Sequence, residues 1–542
     1  MTRGWIADRL ASRPDRTLLR IATSPGASER VEYSGPALLA ASRQLVDDQR
    51  LPERSRPVLL LLPHSPELFL LHIGLVLSGR VPAILPWPTT RVDPEKYRRN
   101  LLFQLANLPA DHLITLPAVA DSLRSSIHQT VSTCAVRSGG RFEQDLNTLS
   151  APAAVPAQRL DTAPPLADDV LFLQFSGGTT GAQKCVAITE AMLTEQLQRL
   201  AGVLTLNKDD GVVSWLPLYH DMGLIANLWL PLWAQIPSTH VAASDWILRP
   251  ELLFHLLDQH KATLCWLPNF AFSYLARQRE RMDGQYALGH VRAWINCSEP
   301  VRHSSMVSFA ETFHDWGVRP RALHASYAMA ENVFAVTQTD LSTAPRFSDA
   351  YASSGRCLPG MQLRVVRPDG AACDDRESGE IQIATPSLFS GYWNATGAPD
   401  SVFTSDGWYA TGDFGFLDAG ELFVAGRLKD LIIVGGQNVF PEDVESLAAG
   451  ASGVRPGRIV AFAIDDEQLG TQSIAIVAEL SGHFDAGAAA AAEAEIRALV
   501  TAGIGIAPRH VAAVPHPWIV KSTAGKISRG DTRRRFLEEF LT

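Results

Sequence analysis

Short apolar runs alternate with longer stretches of helical periodicity through most of the first 330 residues. Residues 58–62 (Val-Leu-Leu-Leu-Leu) read as a strand buried on both faces, 67–78 as the helix after it, and 81–85 as the next strand. Another apolar run, 170–174, predicts a strand, with a helix starting near Thr189. This rhythm predicts βαβ units and a largely parallel sheet. Residues 149–168 are rich in Ala and Pro and lack a period, so they read as a surface connector. From about 354 the pattern changes. Strand-like segments at 362–366, 380–383 and 421–424 lie between Gly- and Asp-bearing turns, which predicts a smaller β-rich unit. Beyond 430 follow a strand at 431–434, a helix at 441–447 and an Ala-rich helix at 485–500, with Gly487 its weak point.

The length of 542 residues predicts three or four structural units at about 100–200 residues each. With 46% hydrophobic and 19% charged residues, the chain can fill large cores and is not a disordered scaffold. The net charge of −9 argues against nucleic acid or an anionic membrane as the main partner. Six cysteines without a Cys-x-x-Cys pair argue against a zinc site or a disulfide framework. Charges near the N-terminus do not suit a signal peptide, and 58–86 is too interrupted to span a bilayer. A cytoplasmic enzyme without membrane insertion is the expectation.

Several segments carry chemistry. Residues 175–184 (Phe-Ser-Gly-Gly-Thr-Thr-Gly-Ala-Gln-Lys) set Ser176, Gly177, Gly178, Thr179, Thr180 and Lys184 between a strand and a helix. Glycines let backbone N–H groups approach phosphate oxygens, hydroxyls donate hydrogen bonds, and the lysine adds charge. Alone, such a loop is a turn about as often as a phosphate site. The rest of the chain adds His220 on a Gly-bounded turn (214–223), Ser298-Glu299, Tyr327 with Glu331 four residues on, and Asp413 after a turn. A charged turn at 426–432 carries Arg427 and Lys429, and Gly525-Lys526 lies near the C-terminus.

In this order and spacing the segments resemble the adenylate-forming superfamily, which includes acyl-CoA synthetases, fatty acyl-AMP ligases and nonribosomal adenylation domains. The resemblance runs from about residue 170 to the end, and more loosely from the N-terminus. It implies an α/β fold: a large N-terminal domain (1–428) of αβ sheet subdomains plus a β-rich subdomain (about 354–428), and a small mobile α+β C-terminal domain (429–542). The implied reaction is ATP-dependent activation of a carboxylic acid as acyl-AMP, with release of pyrophosphate. The 176–184 loop would hold the ATP phosphates, and Thr180 and Glu331 would bind Mg²⁺. Tyr327 would stack on adenine, with Ser298 and Glu299 on the other side of the base. Asp413, assisted by Arg427, would accept the ribose hydroxyls, and Lys526 would reach the acyl carboxylate and the α-phosphate. His220 would stand at the mouth of the acyl pocket, and Lys429 would be the hinge. Read without the resemblance, His220 is a core histidine, Asp221 the cap of a helix starting at Met222, Glu331 a surface acid and Lys429 a solvated lysine.

Residues 216–225, 296–302 and 428–433 look most like the fatty acyl-AMP ligase branch, whose members usually load the phosphopantetheine thiol of an acyl carrier protein. Two features depart from it. The stretch 332–352 is short, as in acyl-CoA synthetases, and 435–441 suits either branch, so the acceptor is a carrier protein or free coenzyme A. A non-catalytic binding relative is the alternative of another class, and the full set Lys184, Thr180, Glu331, Asp413 and Lys526 argues against it. Arg529, Arg533, Arg534 and Arg535 read equally as a solvated helix face or as a contact for a carrier protein or coenzyme A phosphates. Trp215, Trp229, Trp233, Trp246, Trp266 and Trp294 read mostly as core, with one or two free to shorten the pocket around a medium-chain, bulky or cyclic acid.

Overall fold

A computed structural model describes residues 4–24, 28–51, 57–88, 94–108, 110, 112–123, 130–134, 169–176, 184–348, 351–393, 402–434, 437–466, 471–482, 484–521 and 527–541. Gly177, Gly178, Thr179, Thr180, Lys526 and the stretch 149–168 lie outside the described residues.

Two largely parallel sheets form the first layers. Among the described residues the smaller has six strands, ordered Thr130–Thr133, His112–Thr115, Val58–Leu61, Pro82–Ile84, Val170–Phe175 and Cys185–Thr189. The larger has nine, ordered Arg356–Cys357, Ala335–Gln338, Leu323–Ala328, Ala293–Cys297, Leu264–Leu267, Val212–Ser214, Ser238–His240, Thr17–Ala22 and Arg30–Ser34. Antiparallel pairing is confined to their edges. Every residue of Val58–Leu61 and Val170–Phe175 is buried, as expected of parallel strands covered on both faces.

The helix Pro66–Leu77 joins the sheets. Apart from Leu77 its residues are buried, because Phe69 packs on His240 of the larger sheet (4.8 Å) and His72 on Phe172 of the smaller (5.4 Å). The segment Met222–Trp229 is a π-helix, a rare geometry that often marks functional sites. Asp221 caps it by accepting the Met222 N–H at 2.8 Å, as the sequence suggested. Gly223 is required there: a Cβ would lie 2.1 Å from the Pro217 carbonyl oxygen. Trp229 donates through Nε1 to Nε2 of His72 at 3.2 Å, so this histidine must be neutral.

The β-rich unit is an antiparallel sheet of Gln362–Val366, Gly379–Ala384, Tyr409–Asp418 and Glu421–Arg427. Past the short helical turn Leu428–Asp430, separate hydrophobic clusters form around the sheet of Val454–Asp466, Thr471–Leu480 and His510–Val514. The Ala-rich helix runs Ala486–Ile504, longer than its sequence reading. Asp485 accepts the Ala488 N–H at 2.8 Å, and Gly505 at φ +73° ends it, so Gly487 sits in the capped first turn, where it does little harm. Among the described residues no helix is long and apolar enough to cross a membrane.

Arg529 corrects the reading of the arginine cluster. Its guanidinium is directed inward to Glu442 (2.9 Å), Glu445 and the Ala461 carbonyl. Burial alone would lower its pKa, but Glu445 and Glu442 raise it. Arg529 therefore holds the small unit together and is not available to a partner. Arg535 stacks over Trp518 at 4.5 Å, and the Arg534 side chain is left 70% exposed.

Burial holds His72 and His240 at a pKa of about 3 and His324 at about 4. Unfolded, each returns to about 6.5 and takes up a proton below that pH. Stability is thus complete above about pH 6.5 and is lost as pH falls from there toward 4, by up to about 2 kcal/mol per ring at pH 5. The urea midpoint should drop clearly between pH 7.5 and 5.0. An equal midpoint would refute neutral burial.

Candidate active site

The candidate residues gather where the parallel strands end. Ser298 follows Ala293–Cys297, Tyr327 lies near the end of Leu323–Ala328, the His220 turn follows Val212–Ser214, and Ser176 follows Val170–Phe175. Carboxyl ends of strands are where open α/β sheets bind ligands. The Ser176 N–H donates to the Lys184 carbonyl at 2.9 Å, pairing the described residues on either side of 177–183. Gln174 donates to the Tyr219 carbonyl at 2.9 Å, fixing the His220 turn against the same strand.

Asp413 is the centre of the site. It lies opposite Arg427 across the antiparallel pair Tyr409–Asp418 and Glu421–Arg427. Arg427 Nε reaches its Oδ1 at 3.1 Å, and the Tyr327 hydroxyl donates to its Oδ2 at 2.6 Å. Burial, then the Asp413 charge, pushes the Tyr327 phenol well above its ordinary pKa, so it remains a donor. Asp413 is the main cause of the raised Arg427 pKa. Burial opposes it, while Tyr327, Glu331 and Asp430 add to it. An ionised carboxylate has about four lone-pair sites, so these two partners leave acceptor capacity for a ligand.

Glu331 lies on the short turn Ala330–Asn332. Its Oε1 accepts from the Tyr392 hydroxyl at 2.6 Å, and the Tyr409 hydroxyl is 3.1 Å from that of Tyr392. Lys184 Nζ stands 4.4 Å from the centre of the Tyr392 ring. The residue that follows the turn Ala330–Asn332, Val333, has φ +64° and ψ −53°, and the Phe334 N–H bonds back to the Asn332 carbonyl at 2.7 Å. This is the rare, strained form of γ-turn, on a β-branched residue. Asn332 holds it. Fully buried, it donates to the Ala335 carbonyl at 2.9 Å and accepts from Thr385 and Ser387.

Ser298 is also strained, at φ +72°, and Glu299 accepts the Phe270 N–H at 2.9 Å. Trp215 and Trp246 stack at 3.8 Å beside the exposed ring of Phe270. Trp229, Trp266 and Trp294 are fully buried core, and Trp233 lies under Arg9 at 3.9 Å. Lys429 sits on the exposed turn after Arg427. Desolvation, then its cationic neighbours Arg427 and Lys184, holds its pKa below the usual lysine range. Neither Asn332 nor Tyr392 stands out in the sequence, because Tyr392 meets Glu331 and Lys184, and Asn332 meets Thr385 and Ser387, only across long separations along the chain.

Replacing Asn332 by Ala removes the partner of the buried Ser387 hydroxyl, of the half-buried Thr385 hydroxyl and of the Ala335 carbonyl. The expected loss is about 2–3 kcal/mol in urea unfolding. A loss under about 0.5 kcal/mol would mean these groups find other partners.

Residues 43–393 match the family of AMP-binding enzymes. A putative acyl-CoA synthetase of Caulobacter vibrioides is 30% identical, over 85% of this chain and 82% of its own. A probable long-chain-fatty-acid–AMP ligase of Mycobacterium tuberculosis, FadD30, is 27% identical, over 92% of this chain and 90% of its own. In fold, the chain matches a structure from work on fatty acyl-adenylate ligases of E. coli and L. pneumophila. The TM-score is 0.82 at 22% identity, over 99% of this chain and 98% of that one. The chain belongs to the AMP-binding enzyme family, within the adenylate-forming superfamily.

Proposed function

We propose that this chain activates a carboxylic acid as acyl-AMP, releasing pyrophosphate, and passes the acyl group to the phosphopantetheine thiol of an acyl carrier protein. The observation that carries the first step is the Asp413 carboxylate, held by Tyr327 and Arg427 with lone pairs to spare. In this reading Asp413 accepts the ribose hydroxyls, while Tyr327 and the Ser298-Glu299 turn flank the base.

Enzymes of this family use ATP, typically with Mg²⁺. The residues present fit that ion. Glu331 offers one hard carboxylate, and among the described residues no cluster of three or more metal-ligating side chains occurs. Mg²⁺ suits a site with one or two carboxylates, its remaining positions filled by phosphates and water. Glu331, with Thr180, would hold it, and it would neutralise charge on the phosphate oxygens.

The acid's carboxylate oxygen attacks the α-phosphorus, and the bond to the bridging oxygen of pyrophosphate breaks. Two anions meet in this step, so the chain's main contribution is fixed positive charge. Lys184 meets the phosphates, and Lys526 meets both the acyl carboxylate and the α-phosphate. His220, at the start of the π-helix, borders the acyl pocket. The Trp215–Trp246 stack beside Phe270 supports a medium-chain, bulky or cyclic acid. Residues 1–428 and 429–542 are the two domains of this proposal, with Lys429 as the hinge that lets the smaller one turn for transfer.

Free coenzyme A is the second acceptor reading. The 30% identity to a putative acyl-CoA synthetase and the short stretch 332–352 favour it.

Lys526→Ala should abolish pyrophosphate release and keep ATP affinity within about threefold, and unchanged turnover would refute its role. Asp413→Ala should weaken AMP binding about tenfold or more in calorimetry, about 1.4 kcal/mol. A pyrophosphate-release screen over acids, run with coenzyme A, with a pantetheinylated carrier and with neither, decides acid and acceptor. Thioester formed on coenzyme A and none on the carrier would reverse the proposed order. Strong preference for long linear acids would reject the bulky-acid reading.

A further inference from the structure

Tyr392 touches two candidate groups through different parts of one side chain. Its hydroxyl donates to Glu331 Oε1 at 2.6 Å, and its ring face carries the Lys184 ammonium at 4.4 Å. Its backbone is tied to the same place. Tyr392 bridges antiparallel to Val186, and the Trp393 N–H donates to the Cys185 carbonyl at 2.8 Å. Phe389 packs against the ring at 4.8 Å, and the Phe389 N–H donates to the Glu331 carbonyl at 2.8 Å. The segment around Tyr392 thus grips both the strand that begins beside Lys184 and the turn that carries Glu331.

Proton directions follow from the chemistry of the three groups. A phenol, with a reference pKa of about 10, keeps its proton at neutral pH, so each hydroxyl has a proton to donate. A carboxylate only accepts, so the Tyr392 proton points to Glu331 and the Tyr409 hydroxyl donates to Tyr392. Each hydroxyl in such a chain polarises the next. The cation over the ring face is held by the ring quadrupole, a separate attraction that needs no hydroxyl.

We propose that Tyr392 is a positioning residue for adenylation, setting the Glu331 carboxylate and the Lys184 ammonium at a fixed separation from one side chain. The hydroxyl governs the carboxylate and the ring governs the ammonium, so the two effects are separable by substitution. This inference rests on the proposed roles of Glu331 toward the metal ion and Lys184 toward phosphate.

The test titrates Mn²⁺ into the full chain with ATP and without acid, read by electron paramagnetic resonance. ATP affinity without metal is measured in parallel. Tyr392→Phe keeps the ring, so Mn²⁺ binding should weaken about tenfold while metal-free ATP affinity stays within about twofold. Tyr392→Leu removes both groups and should weaken both measurements. Tyr409→Phe leaves Tyr392 in place and should weaken Mn²⁺ binding about two- to threefold, which keeps the proposal testable if Tyr392 variants fold poorly. Unchanged or tighter Mn²⁺ binding in Tyr392→Phe, or in Tyr409→Phe where only that variant folds, overturns the proposal. Glu331→Gln separates the two levels. Mn²⁺ binding lost in Glu331→Gln but unchanged in Tyr392→Phe refutes the positioning role alone. Binding unchanged in Glu331→Gln removes the metal reading of Glu331, and this inference with it.

Discussion

The nearly buried carboxylate of Asp413 has to be balanced where it stands, and the arrangement around it follows from that need. An ionised carboxylate taken out of water is costly unless a charge and hydrogen bonds replace its hydration. Arg427 supplies the charge from the neighbouring strand, and Tyr327 supplies a hydroxyl from the nine-stranded sheet. One side chain therefore joins the β-rich sheet to the large αβ sheet. Because Arg427 immediately precedes the turn Leu428–Asp430, the same pair anchors the point where the chain leaves for the small unit.

The small unit balances its own buried charges in the same way. Glu479, fully buried, accepts the Trp518 and Ile519 N–H groups at 2.8 and 2.6 Å and lies 2.6 Å from Nδ1 of His516. Arg529 serves Glu442 and Glu445 likewise. A further ion pair crosses from the large part to the small one: Arg302 to Asp443 at 2.8 Å, with the Tyr351 hydroxyl 3.1 Å from the same carboxylate oxygen. Arg302 follows the strained Ser298 turn closely in sequence, so the orientation of the small unit and the wall proposed for the nucleotide base share one short segment.

Two strained residues stand beside the site. Val333, two residues past Glu331, and Ser298, next to Glu299, hold positive φ, and neither is glycine. Such conformations cost about 1–3 kcal/mol each and persist only where surroundings over-determine them. At Val333 the surroundings are named: Asn332 fixes the turn with bonds to Ala335, Thr385 and Ser387. At the π-helix Met222–Trp229, Gly223 permits a tight approach to Pro217 and Asp221 caps the first turn.

Apolar periodicity by itself determined the alternation of strands and helices, the β-rich unit after 354 and the separate small unit, because burial patterns repeat locally along the chain. The capping role of Asp221 was equally local. The order of motifs determined the family. Tertiary structure alone decided what each polar side chain faces. The sequence left Arg529 between a solvated face and a docking contact, and the fold turns it inward. Tyr392 and Asn332 carried no periodic or compositional mark, since the first meets Glu331 and Lys184 and the second meets Thr385 and Ser387 across long separations in sequence. Hydrogen bonds and ion pairs act over a few ångströms in space, and separation along the chain says nothing about that distance until the sheets have closed.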